Sequence, residues 1–236
     1  MARKAALDRR QLLSDNRLFR HLDDSELDEL VTYAKVRRYR QNQTIYHKGD
    51  AGVSLMAVLS GRVKISAVSA DGKEAILNII DAGTVFGEIA FLDGKDRSAD
   101  AAAMDATELM VLDRRDFIPF LEKHPQISVG LIEVLCERLR RTSEMLEDSA
   151  FLTLPMRLAK RLVWLMGEYG QETENGTRIE LKLSQRELGG LVGLSRENIN
   201  RQLRAWHKEG LIQLDGGYIT VLDVDTIEDI ADYLAL

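Results

Sequence analysis

Residues 87–101 read GEIAFLDGKDRSADA, with Glu88 and Arg97 nine positions apart in an otherwise apolar, strand-like region. Arginine is the side chain able to meet two oxygens of one anion at once, and a phosphate is the anion that suits it best. A carboxylate cannot serve that anion, but it can accept from a hydroxyl. The two groups therefore fit one ligand carrying both chemistries. The plain alternative is an ordinary ion pair at a turn.

A second constellation lies in LSQRELGGLVGLSRENINRQLRAWHKEGLI, residues 183–212. Ser184 and Glu187 have capping-box spacing, Gly193 stands where two helices would meet, and Ser195 would cap the second. On that helix Ile199, Leu203 and Trp206 fall on one side, and Arg196, Glu197, Asn200, Arg201 and Arg204 on the other. Between residues 182 and 208, Lys182, Arg186, Arg196, Arg201, Arg204 and Lys208 face only Glu187 and Glu197, a net +4 in a chain whose formal charge is -6. Such a face suits the DNA major groove, where arginine donates twice to guanine and glutamate accepts from the cytosine amino group. Glu197 between cations argues for base reading, since phosphates would repel it. The alternative is a solvated face of a protein-binding winged helix.

Other elements must hold these groups. LDDSELDELVTYAKV, residues 22–36, predicts a helix opened by an Asp23/Glu26 capping box, with Leu27, Leu30, Val31 and Ala34 on one face. The period then falls to two. Short strands are predicted at 44–46, 55–59, 63–68, 75–80 and 108–112, cut by glycine turns, in the manner of a small antiparallel roll or barrel. Residues 113–122 read as helical, and Pro125 opens a long helix to about Ala150. Ile132, Leu135, Leu139, Thr142 and Leu146 form its seam, which predicts a coiled coil with a second copy or packing on the chain's own β domain. After the apolar hinge 151–154 comes an amphipathic helix at 157–166. A polar loop at 170–176, a strand at 179–183, two short helices and a hairpin turning at Asp215-Gly216-Gly217 complete a winged helix-turn-helix.

The 236 residues, 45% hydrophobic and 30% charged, predict two globular domains. No apolar run approaches the roughly 20 residues needed to cross a bilayer, and MARKAALDRRQLL lacks the apolar core of a secretory signal, so a cytoplasmic protein without a membrane partner is expected. The single cysteine, Cys136, excludes an internal disulfide and a four-thiolate iron-sulfur cluster, and is expected to be a buried helix residue. His21, His47, His124 and His207 show no metal spacing, and nothing around His124 or Cys136 supports a haem. No enzyme signature is present.

Gly87-Glu88-Ile89-Ala90 followed by Arg97-Ser98-Ala99 resembles the phosphate-binding cassette of cyclic-nucleotide domains. From about residue 15 onward the chain resembles the CRP/FNR transcription regulators, and within them the cyclic-AMP receptor branch. The resemblance implies an α+β fold: an antiparallel β-roll at 15–124, a dimerisation helix at 125–150 and a winged helix-turn-helix at 151–236. It implies Glu88 on the ribose 2′-hydroxyl and Arg97 on the cyclic phosphate, with Ser98 and the backbone amides from Gly87 to Ala90 completing the cradle. Thr142 and Ser143 would meet the purine, Ser143 from the opposite subunit; a Thr142 bonding back to its own helix is the alternative. Arg196, Glu197 and Arg201 would read bases, with Ser184, Gln185, Asn200 and Arg204 beside them on double-stranded DNA. The implied function is a homodimeric regulator of transcription, with cyclic AMP as effector and RNA polymerase as a further partner. Cyclic GMP stays open, and the alternative is a relative acting without nucleotide or through another small molecule.

Overall fold

The structure, a computed structural model, describes residues 13, 14, 16 and 18–232; the reading of the N-terminal segment as free of a signal falls almost wholly outside them. Contacts divide the chain into two units, one of residues 1–67 and 77–141, the other of 68–76 and 142–236.

In the first unit, α1 (Asp24–Tyr33) begins at the expected capping box, with the Asp23 carboxylate accepting from the amides of Ser25 and Glu26. The helix is shorter than expected. After Tyr33 the sequence Ala-Lys-Val-Arg-Arg-Tyr forms strand β1 (Ala34–Tyr39), which pairs antiparallel with β8 (Thr107–Asp113) from Ala34 opposite Leu112 to Tyr39 opposite Thr107. With Val36 and Tyr39 suited to a strand, this stretch gains a full ladder with β8, which an extra helical turn cannot offer.

The remaining strands are β2 (Thr44–Tyr46), β3 (Ser54–Ser60), β4 (Arg62–Val68), β5 (Glu74–Asp81), β6 (Val85–Phe86) and β7 (Asp100–Ala103). Sheets of order β1-β8-β3-β6 and β2-β7-β4-β5 make the expected roll. Met56, Val58, Val63, Ile80, Phe86, Ala101, Leu109 and Val111 form the core that both sheets contribute to. The opposite face of the first sheet, with Leu55, Ala57, Leu59, Met110 and Leu112, is buried under helical side chains, among them Leu27, Leu30, Phe91, Phe117, Phe120, Ile127 and Leu131. This two-sided burial is why β3 reads SLMAVLS, apolar without alternation. The covering helices are α1, α2 (Glu88–Asp93), which has no counterpart in the expected pattern, α3 (Arg114–Lys123) and the start of α4 (Pro125–Phe151). Along α4, Ile132, Leu139 and Leu146 are 58%, 68% and 71% exposed. Ile132 and Leu139 of the seam are therefore not covered by the roll. Cys136, expected to be buried, is exposed on this helix.

In the second unit, α5 (Leu154–Tyr169) buries Met156, Leu158, Ala159, Leu162 and Leu165. The expected loop at 170–176 is strand β9 (Gly170–Thr173), paired with β10 (Gly176–Ile179). All four β9 residues are exposed, so no apolar alternation marked it. The strand expected at 179–183 lies earlier, at β10, because its ladder partner is β12 (Tyr218–Val221), with Ile179 opposite Ile219. Then follow α6 (Gln185–Val192), α7 (Arg196–Lys208) and β11 (Ile212–Asp215), which turns through Gly216-Gly217 into β12. A final helix, α8 (Val224–Ala231), buries Ile227.

Candidate functional site

Arg97 is only 4% exposed although it sits in a surface connection. Its backbone is pinned on both sides: its amide donates to Asp50 O at 2.8 Å, and its carbonyl accepts from Gly49 N at 2.9 Å. The guanidinium donates through Nη1 to Gly87 O at 3.0 Å and through Nη2 to Ser54 O at 2.8 Å and Ser54 Oγ at 2.9 Å. Its central carbon lies over the Tyr46 ring, 4.4 Å from the centroid. Nε is buried and has no hydrogen-bond partner. A buried donor left unmet costs about 1–3 kcal/mol, so this N–H is a donor to spare beside the cradle. Burial lowers the Arg97 pKa, while Tyr46 and Glu88 act against that. The same burial pushes the Tyr46 phenol up to about 12 and keeps it neutral.

Gly87 opens the cradle with φ +78, left-handed backbone that β-carbon-bearing residues avoid. A Cβ built there would also stand 2.5 Å from Arg97 Nη1. Glycine is thus favoured twice, by the turn and by the close approach of the guanidinium. Glu88 follows at 3% exposure, its Oε1 accepting from Arg138 Nε at 3.0 Å, while Arg138 Nη2 donates to Val85 O at 2.9 Å. Glu88 and Arg97 are therefore not each other's ion pair. Ala90 is buried, whereas Ile89 and Ser98 are exposed. The sequence expectation named these six together, and the first unit gathers them. Thr142 and Ser143 lie exposed on α4. Tyr46, Ser54 and Arg138 were missed. Arg138 precedes Thr142 by one helical turn, a spacing that put both on one face of α4 and was a usable signal. Nothing local marked Tyr46 and Ser54, since only the folding of the roll brings positions 46, 54 and 97 together.

The helix pair is built as its sequence implied. Ser184 Oγ accepts from the Glu187 amide at 3.2 Å while a Glu187 carboxylate oxygen accepts from the Ser184 amide at 2.9 Å. Gly193 ends α6 at φ +68, and Ser195 Oγ accepts from the Asn198 amide at 3.3 Å to start α7. Ile199, Leu203 and Trp206 are buried. Arg196, Glu197, Arg201 and Arg204 are exposed along the opposite face. Asn200 is half-buried and accepts from Gln185 Nε2 at 3.4 Å, so these two tie the helices together as well as lying beside the exposed face. Arg201 Nη2 donates to Asn198 Oδ1 at 3.0 Å. The Glu197 carboxyl is held below its ordinary range by its own backbone amide at the helix start, then by the Ser195 hydroxyl. It stays an acceptor under all ordinary conditions. On the wing, Arg178 lies over the Tyr218 ring at 4.4 Å with Lys182 at 5.9 Å, a basic flank outside the expected set.

Among the described residues no group of three or more His, Cys, Asp or Glu is placed to hold a metal ion, and no helix is long and apolar enough to cross a membrane. Residues 36–124 match the cyclic nucleotide-binding domain family and residues 156–234 the Crp-like helix-turn-helix domain family. The chain is 30% identical to the CRP-like cAMP-activated global transcriptional regulator of Mycobacterium tuberculosis, over 92% of this chain and 97% of that protein. It is 33% identical to the cyclic AMP receptor protein of Thermus thermophilus, over 92% and 98%. Among solved structures, the c-di-GMP responsive global regulator CLP of Xanthomonas campestris superposes with a TM-score of 0.76 at 25% identity, covering 84% of this chain and 99% of that one. Both domains and all these relatives are those of transcription regulators, not of enzymes. A cyclic-nucleotide-binding roll followed by a long helix and a Crp-like helix-turn-helix thus places this chain in the CRP/FNR family of transcription regulators.

Proposed function

We propose that this regulator is switched by cyclic AMP and binds, as a homodimer, a TGTGA-like palindrome whose half-sites lie one helical turn apart, ~34 Å. Residues 15–124 take the nucleotide, 125–150 pair the two copies and 151–236 take the DNA. Arg97 meets the cyclic phosphate, with Ser98 and the amides of Gly87, Ile89 and Ala90 around it. Glu88 takes the ribose 2′-hydroxyl, and Thr142 and the partner copy's Ser143 take the purine. Arg196, Glu197 and Arg201 read bases, with Ser184, Gln185, Asn200 and Arg204 alongside. The promoter-bound dimer then meets RNA polymerase in the cytoplasm.

The observation that carries this reading is the buried Arg97 Nε with no protein partner, beside a cradle whose left-handed Gly87 strains any other residue. The exposed Ile132, Leu139 and Leu146 on α4 support the dimer, because a monomer rarely leaves such a stripe in water. Replacing Leu139 and Leu146 together by Glu should give a monomer in sedimentation.

Calorimetric titration of nucleotide-free protein with cyclic AMP tests the effector. One molecule per chain, with binding lost in Arg97→Ala, is expected; no heat at several temperatures sinks cyclic AMP. Two-site coupling adds a second check, since operator DNA must tighten nucleotide binding by the factor with which nucleotide tightens DNA binding. The structural likeness to a c-di-GMP responsive regulator favours one rival, another small messenger at the same roll. Parallel titrations with cyclic GMP and cyclic di-GMP separate them.

A further inference from the structure

Arg97 is steered by more than its hydrogen bonds. The bonds from Nη1 and Nη2 to Gly87 O, Ser54 O and Ser54 Oγ fix the guanidinium within its own plane but leave it free to tilt out of that plane. The Tyr46 ring covers one face of the guanidinium, its centroid 4.4 Å from the guanidinium carbon. This ring is itself anchored. It lies 6.0 Å from the Phe86 ring at an interplanar angle of 30°, and Phe86 is 1% exposed and immediately precedes Gly87. The floor beneath Arg97 is thus fixed to the strand that leads into the cradle.

We propose that Tyr46 is a positioning residue of the anion subsite: its ring fixes the plane of the Arg97 guanidinium so that Nε–H, the buried donor without a partner, faces the ligand's anionic oxygen. An aliphatic residue at position 46 would fill the same space and strip water from the cation while returning nothing. An aromatic ring offers its negative face, which partly offsets that desolvation and does so in one orientation. The inference rests on the reading of the roll as a nucleotide site and adds a residue to it.

Full-length wild type, Tyr46→Phe and Tyr46→Leu are compared in two measurements. In calorimetry with cyclic AMP, Tyr46→Phe should bind within about twofold of wild type, and Tyr46→Leu about five- to thirtyfold more weakly, the loss matching a desolvated cation–π contact. In ligand-free protein carrying nitrogen-15 at arginine Nε, the Arg97 Nε–H resonance should exchange slowly with water in wild type and Tyr46→Phe, and at least tenfold faster in Tyr46→Leu. A purely space-filling role for Tyr46 moves neither signal once the melting temperatures are matched. Equal nucleotide binding by the Leu and wild-type proteins overturns the proposal, as does equal exchange. Equal losses in Phe and Leu also overturn it, because they assign the effect to the hydroxyl. If wild type gives no heat with cyclic AMP, the nucleotide reading fails, and the exchange measurement still decides whether Tyr46 positions Arg97.

Discussion

Arg97 and Arg201 are the same side chain under opposite conditions. Arg97 is buried over an aromatic ring and gives three hydrogen bonds to Gly87 and Ser54, while its buried Nε has no partner. Arg201 projects from α7 into water with one side-chain bond, to Asn198. The difference teaches what each site needs. A small anion enclosed by protein has to find its donor already aimed, because no solvent remains to correct a misplacement. A recognition helix meets a large, hydrated and highly charged partner, so its cations stay free to settle on base edges as the groove closes over them.

Lysine substitution breaks this comparison most sharply. Arg97→Lys keeps the charge but not the fork, and one ammonium cannot serve Gly87 O, Ser54 O and a ligand together in the same plane. Nucleotide affinity should fall about a hundredfold, some 2.7 kcal/mol. The roll should also lose about 1–3 kcal/mol of stability from buried acceptors left unmet. Calorimetry and thermal melting read both. If Arg97→Lys binds like wild type, the fork plays no part in the site.

The helix face should behave otherwise. Arg196→Ala or Arg201→Ala should each cost about 1–3 kcal/mol of operator affinity and relax base preference at one position, measured by anisotropy titration against a panel of single-base variants. Nucleotide binding and melting should stay within about 0.5 kcal/mol of wild type, as for other exposed substitutions. A uniform loss across all base variants would demote either arginine to a phosphate contact.

Glycine replacement sharpens the contrast next. Gly87→Ala puts a methyl group on left-handed backbone and against Arg97 Nη1, with a strain of about 1–3 kcal/mol that nucleotide affinity should report in full. Gly193→Ala has the backbone penalty alone, since its nearest neighbour, Arg157 Nη1, would be 3.8 Å from the new Cβ. About 1–2 kcal/mol is expected there, seen in melting of the DNA unit and not in nucleotide binding.

The same contrast governs what could be read from the chain. The helix pair was legible almost residue by residue, because its caps, turn glycine and buried face all follow from spacings of three and four. The roll was legible as a run of strands. Strand β1 was hidden because a continuing helical pattern overlaps it, β9 because none of its residues is buried, and α2 because six residues are too few to show a period. The cradle was legible only where it is contiguous. Gly87, Glu88 and Arg97 stand in one stretch, and it was the resemblance of that stretch to a phosphate-binding cassette that singled them out. Ser54 and Tyr46 enter from other strands, and no local spacing records a neighbour that only the closing of the roll brings near.

Salt separates the two sites with the smallest mutational effect. Exposed cations that neutralise DNA phosphates release counterions, so operator affinity falls with the logarithm of salt concentration at about 0.9 units per contact. Arg204 stands exposed one turn beyond Arg201 on the same face of α7, and we assign it to the phosphate backbone and not to the bases. Arg204→Gln should therefore reduce the salt slope by about one, lower operator affinity by only a few-fold at moderate salt, and leave base preference unchanged. Nucleotide affinity should scarcely respond to the same salt series, because the Arg97 donor lies within protein where ions do not screen it. If nucleotide binding proved as salt-dependent as DNA binding, the anion would be meeting exposed cations, and the cradle around Gly87 and Arg97 would not be where it binds.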